Sequence, residues 1–352
     1  MMEHRVKIAA ITCEMPRERI RNDSPVFARL PETPARWWRF WGIEERGHFS
    51  AANDESELLA AERACQRILA TMGLRPDDID MLICSSSAPT LSDSAGVLPH
   101  AGVRMHPRLS RVLRERLGVT RALAFDTQVE CASFMLNMNI GASYIRSGRA
   151  ERVLVVCSEY VSQMLDFTSH SCTIFADGCA AALLTRGGEG DVADLIAVDQ
   201  FSNADHYEVA TGRFRHEEGD TRKEGPVKPY FTLSDNGQAE LQEFVPENVP
   251  KAVARALART ALTPADIDFF VFHQPSPILV YSWASGIGIG EDKYLISTRD
   301  TGVMVSVAVP HNLWMALEQG RIAPGDTIVL AGAGIGWGFL AQVWNVDGIV
   351  AC

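Results

Sequence analysis

The feature that most constrains this chain is that it contains itself twice. LRPDDIDMLICSSS at 74–87 matches LTPADIDFFVFHQPS at 262–276, each a proline-bearing loop, an aspartate-rich turn and an apolar strand. An alanine-rich amphipathic segment precedes each, SELLAAERACQRILATMG at 56–73 and ENVPKAVARALARTAL at 247–262. A second pair follows: SGRAERVLVVCSE at 147–159 resembles QGRIAPGDTIVLAGAG at 319–334, both running through Gly-Arg into a continuous apolar strand. Strands apolar on both faces belong in the middle of a covered sheet. The order helix, strand, helix, strand in both halves predicts an α/β fold of two pseudo-symmetric halves, each a central mixed sheet covered by helices. The join falls near 185–200, dividing the chain into 1–186 and 187–352. The stretch 201–246 breaks the pattern; it is polar, rich in glycine and charge, and is expected to be an inserted loop or lid.

The repeats also supply a register. Aligning Gly148-Arg149 with Gly320-Arg321 and counting back 17 residues sets Cys131 opposite Val303. Aligning Ile79-Asp80 with Ile267-Asp268 sets His273 opposite Ser85. A pseudo-twofold axis would gather Cys131, from one half, and His273, from the other, near its centre. Cys131 precedes a long apolar helix of small residues, where the positive end of the peptide dipoles favours a thiolate. His273 closes the strand IDFFVFH and is well placed to meet a thiol. The other cysteines, at 13, 65, 84, 157, 172, 179 and 352, form no Cys-x-x-Cys pair and read as small core residues. Histidines 4, 48, 100, 106, 170, 206, 216 and 311 show no ligand spacing, so no metal site is expected.

The formal net charge of −11 and the lack of a basic run argue against nucleic-acid binding. The opening MMEHRVKIAAITCEMPRERI has no signal-peptide pattern. No apolar run reaches the roughly 18 residues of a membrane span, so a cytoplasmic protein with reduced thiols is expected. The glycine-rich stretches SGIGIGEDK (285–293) and AGAGIGWGFLAQVW (331–344) miss the G-x-G-x-x-G spacing, which excludes dinucleotide binding. The second is expected to bring backbone N–H groups close to a reacting carbonyl.

Five segments, in order, resemble the β-ketoacyl-ACP synthase III family of the thiolase superfamily. They are GIEER (42–46), VECASF (129–134), FADGCAAALL (175–184), FHQPSP (272–277) and GRIAPGDTIVLAGAGIGWG (320–338). The resemblance implies a thiolase fold, Cys131 and His273 as the catalytic pair, and the N–H groups of Cys131 and Ala333 as oxyanion donors. Two departures stand out. The family's catalytic asparagine falls at Val303, within DTGVMVSVAVP, and WWRFW (37–41) only approximates the family's clasp for the CoA adenine.

Within the family, AAITCE, WWRFWG, VLVVCSEY, LDFTS, YEVATGR and DTGVM resemble the Cys-bearing subunits of 2-alkyl-4-quinolone synthases. That implies a medium-chain, octanoyl-like acyl-CoA donor and 2-aminobenzoylacetate as an acceptor that loses CO₂. It also implies a heteromeric partner of the same fold lacking the catalytic cysteine, and no resident cofactor. Two other readings fit a Cys-His protein of this fold: an acyltransferase acting on an alcohol or amine without C–C bond formation, and a non-catalytic structural subunit.

Overall fold

The computed structural model describes residues 4–88, 91, 106–188, 190–205, 207–216, 227–233 and 237–352. His100 and His206, and residues 217–226 and 234–236 of the expected insertion, lie outside the described residues.

The first half contains β1 (Val6–Glu14), β2 (Glu18–Arg21), α1 (Ala35–Trp41), β3 (Glu45–His48), α2 (Glu57–Thr71) and β4 (Met81–Ser85). It continues with α3 (Leu109–Leu117), β5 (Leu123–Thr127), α4 (Ser133–Arg146), β6 (Arg152–Glu159) and β7 (Gly178–Arg186). The second half contains β8 (Asp194–Ser202), β9 (Ala210–His216), β10 (Val227–Leu233), α5 (Gly237–Leu257), β11 (Phe269–Phe272) and α6 (Pro277–Ile287). It ends with α7 (Thr298–Thr301), α8 (Ala308–Glu318), β12 (Thr327–Gly334), β13 (Gly338–Asn345) and β14 (Val350–Ala351).

The apolar runs of the repeat become paired strands in matching registers. β4 lies parallel to β6 with Met81 opposite Val153; β11 lies parallel to β12 with Phe269 opposite Ile328. The first sheet has the order β14-β1-β7-β6-β4-β5 and the second β11-β12-β13-β8. In both, the next strand along is antiparallel: β7 on β6 and β13 on β12, then β1 on β7 and β8 on β13. Where the first sheet has β5, the second has a single parallel bridge from Phe270 to Tyr294.

The sheets are mixed, and helices fill the layers between and outside them. α4 and α8 lie between the two sheets, where Met135 and Met138 meet Val309, Leu313, Val155 and Leu330 in one buried cluster. Small residues allow the close approach; a Cβ on Gly141 of α4 would stand 2.9 Å from Leu184 Cδ1 of β7. α2 and α3 cover the far face of the first sheet, and α5, with α6 packed on it, covers the second.

The acidic turns explain why the repeat survives in sequence. Asp78 accepts from the Arg75 N–H at 2.8 Å, and Asp266 accepts from the Thr263 N–H at 2.8 Å. Asp80 accepts from the N–H groups of Glu151 and Arg152 at 2.7 and 3.0 Å, and Asp268 from Thr327 N–H at 2.8 Å. In each half one aspartate shapes the turn and the next ties it to the neighbouring strand's start.

The stretch 201–246 differs from a plain loop. It holds the end of β8, the antiparallel ribbon β9–β10 and the first turns of α5. The ribbon is anchored: Phe231 bridges Leu165 and packs edge-on to Phe175 at 5.1 Å, while Arg215 pairs with Asp166 and covers the Tyr230 ring at 4.1 Å.

Replacing Asp80 by Ala removes two hydrogen bonds to the start of β6, at about 1 kcal/mol each. Its denaturant midpoint is expected to fall below that of Asp268→Ala, which loses one such bond; equal midpoints would contradict the clamp.

Candidate active site

The nucleophile candidate sits on a sharp backbone turn. Glu130–Ala132 form one turn of 3-10 helix, Glu130 has φ +45°, and α4 begins at the next residue. Ser133 Oγ closes the turn by accepting from Val129 N–H at 2.9 Å. The second half repeats the device: Val305–Val307 form a 3-10 turn, Val305 has φ +43°, and α8 follows. Matching the two turns sets Ser306, not Val303, opposite Cys131. The register counted from the glycines overshoots because α8 has 11 residues where α4 has 14.

Val303 lies three residues earlier, held by backbone pairing with the FADG segment. Its N–H donates to Ile174 at 2.9 Å, and its carbonyl accepts from Ala176 N–H at 3.0 Å. This fixes the side chain on the wall of a narrow cavity of about 40 Å³ that Cys131, His273 and Ala333 also line. All four residues singled out in the sequence therefore meet at one place. The rest of the wall is almost wholly apolar, including Trp41, Phe175, Leu279, Trp283 and Trp337. Cys131 is 5% exposed and His273 3%.

The glycines of AGAGIGWG permit this convergence. A Cβ on Gly332 would stand 2.7 Å from His273 Cβ, and one on Gly334 would stand 2.4 Å from the Val129 carbonyl oxygen. Ala333 is thus carried between the histidine strand and the cysteine turn. The backbone N–H of His273 is itself bound to the Ala331 carbonyl at 2.9 Å.

Burial controls the electrostatics. It lowers the His273 pKa to about 3, so the imidazole is neutral, and Nδ1 has no hydrogen-bond partner among the described residues. Burial also pushes the Cys131 thiol well above its ordinary value, and the carboxyls of Glu130 and Glu159 push in the same direction. These effects outweigh the thiolate expected from the helix start. A neutral thiol beside a neutral imidazole can still exchange a proton as a bond forms at sulfur.

Glu159 escaped the sequence reading. It ends β6 fully buried and accepts hydrogen bonds from Ser306 Oγ, from Ser87 N–H at 2.8 Å and from Ser87 Oγ at 3.2 Å. Burial raises its pKa to about 8. Ser306 is therefore engaged with Glu159 and does not replace the family asparagine at the cavity wall. The available signal was a glutamate closing the otherwise apolar run VLVVCSE.

Other motif residues are scaffold. Asp177 of FADG accepts from the N–H groups of Phe49 and Ser162 at 2.7 and 2.8 Å. Arg46 of GIEER is buried and donates to the carbonyls of Ile20 and Thr173 at 3.1 and 2.7 Å. WWRFW forms part of α1; Trp41 reaches the cavity, and Trp37 Nε1 donates to Thr173 Oγ1 at 2.9 Å. No group of three or more metal-ligating side chains occurs among the described residues, and no described helix is long and apolar enough to cross a membrane.

Two mixed sheets around a central helix pair, with a cysteine turn from one half facing a histidine from the other, make a thiolase-type condensing enzyme. The chain belongs to the 3-oxoacyl-[acyl-carrier-protein] synthase III family, whose profile matches residues 125–204 and whose C-terminal profile matches 257–346. It is 52% identical to the 2-heptyl-4(1H)-quinolone synthase subunit PqsC of Pseudomonas aeruginosa over 351 residues, covering 99% of this chain and 100% of that one. It is 30% identical to the β-ketoacyl-[acyl-carrier-protein] synthase III of Dinoroseobacter shibae over 324 residues, covering 90% of this chain and 92% of the relative. The crystal structure of 3-oxoacyl-[acyl-carrier-protein] synthase III from Aquifex aeolicus superposes with a TM-score of 0.81 at 20% identity, over 97% of this chain and 99% of that one.

The Glu159 carboxyl makes stability depend on pH. Its folded pKa is raised, so its contribution is complete below the unfolded value of 4.5 and is lost as pH rises through about 8. Glu159→Gln removes this loss. Urea unfolding should show the variant gaining on the wild type across that window; a pH-independent difference would contradict the assignment.

Proposed function

We propose that this chain is the acylated subunit of a 2-alkyl-4-quinolone synthase. The observation that carries the reading is an apolar cavity holding Cys131 and His273 with Val303 where the family has its asparagine. The full-length similarity to the quinolone synthase subunit supports it. In the first half-reaction the Cys131 sulfur attacks the carbonyl of a medium-chain, octanoyl-like acyl-CoA. The N–H groups of Cys131 and Ala333 receive the developing oxyanion. The C–S bond to CoA breaks, CoA leaves with the proton from Cys131, and an S-acyl enzyme remains.

In the second half-reaction 2-aminobenzoylacetate loses CO₂, and the resulting carbanion attacks the acyl carbonyl. The bond to Cys131 sulfur breaks, and His273 moves the proton that restores the thiol. The tethered ring amine then adds to the new ketone, water leaves, and the quinolone ring closes. High effective concentration favours that closure without a further protein group.

A partner of the same fold, lacking the catalytic cysteine, completes the enzyme in this reading. β5 supports it: among the described residues the strand lies at one edge of the first sheet, and its Leu123 is 48% exposed. Exposed strand edges are natural pairing surfaces.

Intact-protein mass after mixing with octanoyl-CoA tests the first step. One acyl adduct is expected, absent in Cys131→Ala; no adduct on the wild type leaves a structural subunit. Product analysis with 2-aminobenzoylacetate and the partner then separates a quinolone from a simple ester or amide. His273→Ala is expected to lower kcat by about 10²–10⁴-fold; a change confined to KM would remove the proton-transfer assignment.

Val303 cannot hydrogen-bond an enolate oxygen, and losing one well-aligned donor costs about 10²–10³-fold in rate. Malonyl-CoA, whose enolate forms on a thioester, needs that donor more than an acceptor whose carbanion is delocalised into an aryl ketone. On one acylated enzyme, condensation with malonyl-CoA should be slower than with 2-aminobenzoylacetate. Equal rates would refute both the Val303 argument and the acceptor.

A further inference from the structure

Beside the reaction cavity lies a second cavity of different character. It has a volume of about 370 Å³ and shares Ile335 with the first. One wall is polar: Ser87, Gln128 and Glu130, the last being the chain neighbour of Cys131. The opposite wall is the ribbon β9–β10, which presents Arg213, Tyr230 and Phe231. Among the described residues, the reaction cavity by contrast is lined, apart from Cys131 and His273, by aliphatic, proline and aromatic side chains.

Glu130 is the unusual element. A glutamate at φ +45° is in a left-handed conformation that costs about 1–3 kcal/mol for a side chain other than glycine. The turn that sets the nucleophile would form more easily with glycine there. The carboxyl is held in place: Gln128 Nε2 donates to Oε1 at 3.0 Å, and Gln128 also donates to the Ser87 carbonyl at 3.3 Å. Burial raises the Glu130 pKa, opposed by the hydrogen bond from Gln128. A carboxyl has about four acceptor positions, so these contacts leave capacity for another donor. An apolar acyl chain gains nothing from such a wall, because any polar group it covers loses water without gaining a partner.

We propose that this second cavity is the subsite for an aryl-amine acceptor, with Glu130 accepting a hydrogen bond from the ring N–H. The aryl ring lies against Tyr230 and Phe231, and Arg213 offers the positive charge that draws the acceptor's carboxylate. Glu130 is a specificity-determining residue: it selects the amine-bearing partner next to the acylated sulfur, and its carboxyl, which holds the Cys131 thiol up, is not needed for the acyl enzyme to form. This rests on the quinolone-synthase reading and names the acceptor site within it.

The experiment uses the enzyme assembled with its partner and compares the wild type with E130G and E130Q. Glycine suits φ +45°, so E130G removes the carboxyl without straining the turn. Both variants are expected to form the single octanoyl adduct no more slowly than the wild type, since the carboxyl that raises the Cys131 thiol is gone, and with the same acyl-chain preference. KM for 2-aminobenzoylacetate should rise about ten- to hundredfold in E130G, as for loss of a hydrogen bond to a charged group, and less in E130Q, which keeps an acceptor oxygen. Benzoylacetate, which lacks the amine, serves as a competitor; its inhibition constant should be unchanged. Equal weakening of both ligands, or a shift in acyl-chain preference, overturns the subsite and gives the cavity to the chain. A wild type that makes no quinolone overturns the functional reading instead, whatever the variants do.

Discussion

The structure depends on the contact between two backbone turns at the pseudo-twofold axis. Glu130–Ala132 and Val305–Val307 each leave a left-handed residue and start a central helix, and they pack against one another. Both helices must therefore begin at the centre of the molecule, which fixes the spacing of the sheets on either side. Gly334 is part of the same constraint, since any side chain there would collide with the Val129 carbonyl and lift the cysteine turn off the second sheet. Cys131 presents its thiol to the cavity, whereas Ser306, at the equivalent turn, is tied to Glu159. In the proposed reaction the duplicated scaffold thus supplies one reaction centre and one structural counterpart.

Burial gives the centre its chemical character. Neutral imidazole and neutral thiol cost far less to enclose than an ion pair, and an apolar wall holds them in that form. The two carboxyls behind Cys131 add to the tendency rather than offsetting it. In the proposed reaction activation comes with the substrate, whose carbonyl brings the oxyanion that the backbone N–H groups would receive.

Much of this was legible in the sequence because it lies in local patterns. The acidic turns before β4 and β11 perform the same hydrogen bonding, so selection for one geometry leaves matching letters, and the register from Asp80 and Asp268 sets Ser85 opposite His273 as the strand pairing does. The helices carry no such marker. α8 is shorter than α4, and a count through it misassigned the mate of Cys131. Glu159 was hidden for another reason: a single acidic residue in an apolar segment reads as a strand end until its partners, Ser306 and Ser87, are seen to come from distant parts of the chain, and Glu130, bound to Gln128 two residues away, reads as a solvated turn until the fold buries it. For the stretch expected to be an inserted loop or lid, the ribbon was not legible, because its described contacts are aromatic rings and the Arg215–Asp166 ion pair rather than a periodic apolar face.

The wall of the reaction cavity includes Trp41, Trp283 and Trp337, three of the seven tryptophans in the chain. Trp41 also touches Trp37, with ring centroids 5.7 Å apart, so excitation can pass between neighbouring indoles. The protein therefore carries its own optical reporter. Displacing water from beside these rings, or bringing an aromatic ligand next to them, alters their emission, and arrival at the sulfur can be timed by stopped-flow fluorescence without attaching a label.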